Sequence, residues 1–172
     1  MNTQTLAPDS QTKDGQTRKQ ITDISSMLLG IDGRYLLLPG VSVAEIVNFV
    51  PPEPDYDEEV PAWFLGNIYW RNQRVPLVSY EAITEGRVPS TTSHCRIAVM
   101  NNTGISDQLR FFAILLRATP KLLRLTPDEI VVDHEKTLEE GEKLHVLVAG
   151  ESAVIPDIQF IEQKIVDLLH AG

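Results

Sequence analysis

The chain has 172 residues, 42% of them hydrophobic, and carries 24 acidic against 15 basic side chains, a net charge of −9. That field repels a phosphate backbone, and no run of Lys and Arg offsets it locally, so nucleic acid and anionic membrane are not expected as partners. The apolar runs at residues 97–100 and 111–116 have strand length, far short of the roughly 20 residues a membrane-spanning helix needs. A single Cys95 rules out an internal disulfide, and there is no basic-then-apolar leader pattern, so the expected compartment is the cytoplasm.

Residues 1–20 are rich in Thr, Gln, Ser and Asp and nearly free of large apolar side chains. Burial there cannot offset ordering entropy, so a disordered tail is expected, followed by one folded domain over 21–172. Residues 26–31 and 34–38 read as strands around Asp32-Gly33, a hairpin dipeptide. Residues 41–49 fit either a strand, through Val41 and Val43, or a helical face, through Val43, Ile46, Val47 and Val50. The Pro-rich stretch 51–59 is neither a central strand nor a helix interior. Its acids, Glu53, Asp55, Asp57, Glu58 and Glu59, lack the offsets and sharp-turn glycine of a calcium loop and read as solvated.

A second tight hairpin is expected around Asn72-Gln73, between strands at 67–70 and 74–80, with Pro76 marking an edge strand or a bulge. After a polar stretch, 85–93, strands recur at 95–100, 109–116, 121–125 and 144–149, with a turn at 126–129 and a charged loop at 133–143. Ile158, Ile161, Ile165 and Leu168 or Leu169 recur at helical spacing behind an Asp157 N-cap, with Glu162, Gln163 and Asp167 on other faces. The pattern is a mainly β protein of barrel type closed by an amphipathic C-terminal helix.

Nothing in the chain has the spacing of a catalytic motif: there is no nucleophile elbow, phosphate-cradling glycine loop or His-Glu-x-x-His pair. His94, His134, His145 and His170 are scattered, and His94 beside Cys95 is too small a set for zinc, so no metal or cofactor is expected. Cys95 reads as a small buried hydrophobe. The informative stretch is residues 60–79. Gly66 separates an aromatic cluster from a strand and permits close approach, and Arg71 stands at the hairpin, free to reach a carboxylate.

That stretch resembles the signature of CheW-like coupling domains: Pro61, Phe64, Gly66, Arg71, Val75 and Pro76 match without a gap. Upstream, Val43-Ala-Glu45-Ile46 is similar to the family's Val-x-Glu-Ile element. Downstream, Ala113–Leu116, Leu122-Leu123 and Leu125–Ile130 are similar to its second half, so the likeness runs from about Ile24 to Leu169. The departures are Tyr69 for a usual Asn, Asn72 for Gly, Ser79 for Asp, Arg117 for Asp and Lys121 for an acid. Asn72 keeps a left-handed turn. Arg117 and Lys121 replace two acids by two cations on the partner surface, which implies a divergent, accessory member, such as one serving a type IV pilus or twitching-motility system.

The resemblance implies two SH3-like, five-stranded β-barrel subdomains on a shared core, no active site, and a scaffolding role. It implies as partners the regulatory domain of a CheA-type histidine kinase and the cytoplasmic tip of a methyl-accepting chemoreceptor. Carried over residue by residue, Val43, Glu45, Gly66 and Arg71 match positions of partner binding. Val43 and Gly66 would form an apolar, closely approached patch, and Glu45 and Arg71 would fix register by charge. The other classes open at this level are a small-molecule-sensing β-barrel module and a degenerate enzyme.

Overall fold

A computed structural model describes residues 22–54 and 59–172. The expected tail at 1–20, and Asp55, Asp57 and Glu58 of the acidic loop, lie outside the described residues. The strands are β1 (Ile24–Ile31), β2 (Arg34–Pro39), β3 (Val43–Asn48), β4 (Phe64–Trp70), β5 (Gln73–Val78), β6 (Arg96–Asn101), β7 (Phe111–Leu116), β8 (Lys121–Leu125), β9 (Val131–Val132), β10 (Glu142–Val148) and β11 (Glu151–Pro156). The helices are α1 (Tyr80–Glu85) and α2 (Ile158–His170). They form two sheets, β8-β1-β2-β11-β10-β9 and β3-β6-β7-β5-β4. The protein is therefore mainly β, with two SH3-like subdomains and a C-terminal helix; one sheet has a sixth, two-residue strand, β9.

Each subdomain curls around its own core. Ile68, Trp70, Val75, Leu77, Cys95, Ile97, Val99, Ala113 and Leu115 fill the first, and Leu28, Leu37, Leu125, Val146, Val148 and Ala153 fill the second. A third, larger core lies between them. In β7, Phe112, Ile114 and Leu116 enter that shared core, whereas Ala113 and Leu115 point back into their own barrel. Period-2 alternation puts successive side chains on opposite faces, so a strand buried on both faces must be apolar throughout. This is why residues 111–116 form an unbroken apolar run.

Helix α2 seals the shared core with Ile161, Ile165 and Val166. Asp157 caps it, accepting from the Phe160 N–H at 3.2 Å. Glu162, expected on an outer face, is fully buried. Its carboxylate accepts the Thr103 N–H at 2.5 Å and the Thr103 hydroxyl, which satisfies a charge that would otherwise be costly to bury.

Residues 79–85 depart from the strand expected to run to Tyr80. Ser79 caps α1, its hydroxyl accepting the Ala82 N–H at 3.1 Å, and Gly86 ends the helix in a left-handed conformation, φ 69°. A serine before and a glycine after are ordinary helix boundaries, and the six-residue length hid them. Strand β11 was hidden too, because the turn before it is Ala149-Gly150, at φ 49° and 77°; alanine seldom marks such a turn. Segment 41–49 resolves as a 3₁₀ turn, Gly40–Ser42, followed by strand.

Pro76 does not mark an edge. β5 lies inside its sheet, between β4 and β7. Its parallel pairing with β7 covers Leu77 and Val78, leaving Pro76 just outside that ladder, so the missing N–H breaks none of those bonds. A register shift in β4 between Phe64 and Gly66 adds a bulge beside it.

Gly66 is where this bulge meets the Pro-rich segment. Its φ is 121°, and a Cβ there would stand 2.3 Å from the Glu53 carbonyl oxygen. Glu53 and Asn67 exchange backbone hydrogen bonds of 2.7 and 2.9 Å, so residues 52–53 cover part of the edge of β4. A side chain on Gly66 would push that cover away.

An ion cluster joins the subdomains. Arg34 of β2 meets Glu142 of β10, and reaches Glu85 of α1 and the Thr84 hydroxyl, each at 3.0 Å. Its guanidinium lies 5.6 Å from the Tyr80 ring centroid. The Glu139 N–H donates to Glu142 at 2.9 Å, and His145 Nε2 lies 2.9 Å from the same carboxylate, out of line for a hydrogen bond. Burial pushes the Glu142 carboxyl up, but the Glu139 N–H, Arg34 and His145 together outweigh it and hold it below the usual range.

Two outcomes follow from these contacts. Gly66→Ala should cost clearly more in urea unfolding than Gly104→Ala, since Gly104 has φ 89° but open space around it. The backbone strain is shared, about 1–3 kcal/mol, and only Gly66 adds a clash. Glu142 is ionised more readily when folded, so its contribution is complete above the unfolded carboxylate pKa and fades as pH falls through the lower folded value. Glu142→Gln should therefore be less stable than wild type at pH 7 by about 1–3 kcal/mol. The gap should close on acidification below about pH 4; a gap constant with pH would remove Glu142 from this role.

Candidate functional site

In a sheet ordered β3-β6-β7-β5-β4, β3 and β4 are the two edges, and curling brings them together. One contact across that seam joins two of the residues singled out in the sequence. The Trp70 indole N–H of β4 donates to Glu45 Oε2 of β3 at 2.8 Å. Arg71 Nη2 reaches the same oxygen at 3.1 Å, and its guanidinium covers the Trp70 ring at 4.7 Å from the centroid.

The hairpin's geometry places Arg71 there. The two-residue turn is Arg71-Asn72, with φ 47° and 59°, and Trp70 pairs with Gln73; the turn is one residue earlier than expected. Positive φ at both positions matches the right-handed twist of the strands, and Asn72 tolerates it well. Below the turn, Trp70 is held edge-on against Phe111 at 4.9 Å. A nearly buried ring therefore supports an exposed cation: Trp70 is 9% exposed, and the Arg71 side chain 68%.

Glu45 and Arg71 are thus brought together, and they neutralise each other within the chain rather than standing as free charges. A cation over an indole face gains about 0.5–1 kcal/mol at such an exposed site. The pair is solvent-screened, so its worth lies in orientation more than in stability. Val43 is half-buried on β3, two residues from Glu45, and packs against the shared core. Gly66 does not join this surface. It is buried, and the close approach it permits is made by Pro52 and Glu53 of its own chain.

The residue missed in the sequence is Trp70. Its aromatic ring was legible as part of a cluster; its N–H partner, on a strand far away in sequence, was not. Tyr69, next to Trp70 in β4, is 63% exposed and points to the opposite face of that strand. The other departures do not share a surface with it. Ser79 is buried and caps α1, a task in which serine substitutes for aspartate, and its hydroxyl also donates to the buried Glu81 at 3.1 Å. Arg117 bonds the Ser90 carbonyl, and Lys121 pairs with Glu151 at 3.2 Å in the other sheet. Their side chains serve internal contacts.

Among the described residues, no three His, Cys, Asp or Glu side chains are grouped as metal ligands. His94, His134 and His170 are exposed, and Cys95 is buried. No described helix is long and apolar enough to cross a membrane. What the seam offers is a small, pre-ordered, amphipathic surface.

Comparison with curated protein sequences gives no match. Among solved structures, the scaffolding protein TtCheW from Thermoanaerobacter tengcongensis superposes with a TM-score of 0.65 at 12% identity, covering 81% of this chain and 87% of that one. At that identity the likeness establishes the fold. The family model of the CheW-like domain matches residues 25–162, both barrels and the start of α2, and the chain belongs to that family.

Proposed function

We propose that this protein is a non-catalytic scaffold of a bacterial chemosensory pathway. It couples the cytoplasmic tip of a methyl-accepting chemoreceptor to the regulatory domain of a CheA-type histidine kinase, and it works in the cytoplasm. The observation that carries this reading is the Glu45–Trp70–Arg71 arrangement at the barrel seam, in which Glu45 and Arg71 stand at positions that the family resemblance associates with partner binding. Val43 extends the patch with apolar surface, and Gly66 shapes the strand from beneath rather than touching a partner.

An adaptor needs a surface whose geometry exists before the partner arrives, because ordering long side chains on binding costs affinity. Trp70 supplies that order. Its N–H fixes the carboxylate, its face fixes the guanidinium, and both charges stay accessible at the rim. A partner carboxylate can share Arg71, and a partner donor can share Glu45, so the pair sets register more than raw affinity. Service in a type IV pilus or twitching-motility system is the finest part of the proposal. Tyr69 is the departure that supports it, since it is exposed and adjoins Trp70 in β4.

Arg71→Asp should weaken binding of a purified kinase regulatory domain about tenfold or more, through loss of the cation and repulsion with Glu45. Asp tolerates a left-handed turn, so the melting temperature should change little. Trp70→Phe keeps the ring against Phe111 but removes the N–H, and should reduce the same affinity severalfold at a stability cost of about 1 kcal/mol. Calorimetric titrations that give wild-type affinities for both variants would falsify the assignment of this patch.

A further inference from the structure

A groove of about 790 Å³ opens where the shared core reaches the surface, between the β4–β5 hairpin, the start of β7 and the last turn of α2. Its apolar lining includes Phe64, Pro76, Leu109 and Leu168. Two arginines, Arg74 and Arg110, line it as well. Arg74 lies on β5 and Arg110 immediately precedes β7, the two strands that pair in parallel at Leu77–Ala113 and Val78–Ile114. Both have the parity of Val78, Phe112 and Ile114, which face the shared core, so both belong to the face that becomes the groove.

Both arginines are exposed, and two like charges lining one groove favour an anionic over a cationic occupant. Every other described arginine has found an oxygen: Arg34, Arg71, Arg87 and Arg124 reach carboxylates, and Arg96 and Arg117 reach backbone carbonyls. Among the described residues, Arg74 and Arg110 have no side-chain hydrogen bond or ion pair, in a chain that carries nine more acids than bases. Glu59 stands on the same groove and bonds neither. Asn67 adds a second signal. It lines the groove, and among the described residues its carboxamide, open to solvent, has no hydrogen-bond partner.

We propose that this groove receives an acidic peptide segment of a partner protein, with an apolar side chain seated between carboxylates that the two arginines bind. Guanidinium forks match carboxylates bidentately, Asn67 can pair with the peptide backbone, and the apolar lining favours a segment over a bare ion. The groove's occupant is independent of the receptor–kinase coupling proposed above.

The test is fluorescence anisotropy of the full chain with a labelled synthetic peptide alternating Glu and Leu. Saturable binding is expected, weakened about tenfold by Arg74→Glu and by Arg110→Glu and unchanged by Arg124→Glu, a charge reversal elsewhere on the surface. Thermal melts check folding, and Arg74→Gln and Arg110→Gln replace any reversal that unfolds. The proposal is overturned if no saturable binding occurs, if a Gln–Leu peptide binds as well, or if Arg124→Glu weakens binding equally. Displacement by equimolar citrate or inorganic phosphate would make this a free-anion site and also overturns it. So would a concentration-dependent dimer, seen by sedimentation, that Arg74→Glu abolishes, since a second copy would then be the occupant.

Discussion

The structure depends on one constraint: two small barrels share a core that neither could bury alone. Strands β1, β2, β5, β6, β7 and β11 each send residues both inward and across, so Leu28, Ala113 and Ala153 fill barrels while Leu29, Phe112 and Val154 fill the space between. A small barrel buries a smaller share of its surface than a larger domain does, and joining two through an apolar layer offsets that penalty. The polar contacts then act at the rim of this layer. Arg34, Glu85 and Glu142 link the barrels on one side, and Glu162 binds Thr103 on another.

The same constraint places the candidate site. Curling one sheet around its own core brings its edges, β3 and β4, face to face, and the seam is closed by side chains where strand pairing stops. Trp70 is the side chain that can do this, with its ring in the barrel and its N–H directed outward to Glu45. An amphipathic aromatic at a barrel seam is at once a core residue and a mount for surface charge. Arg71 is then held by a turn that strand twist demands, so the position of the exposed cation derives from packing.

Some departures from the family pattern are structural equivalents rather than changes of surface. Serine at position 79 caps a helix as aspartate would, and asparagine at position 72 accepts the positive φ that glycine would. Lys121 and Arg117 are engaged within the chain. Sequence position alone had grouped these side chains on one imagined face, but they stand on separate elements with separate partners.

What the sequence determined by itself was the strand content, the C-terminal helix with its Asp157 cap, and the family, because alternation, capping and motif spacing are local in the chain. It also brought Val43, Glu45, Gly66 and Arg71 to notice. It could not decide that Gly66 is pressed against Glu53, that Glu162 is buried, that β5 is interior despite Pro76, or that Trp70 holds Glu45. Each of those depends on which distant segment arrives at a given face, and that is settled only when two sheets curl and pack, bringing together side chains that no local spacing relates.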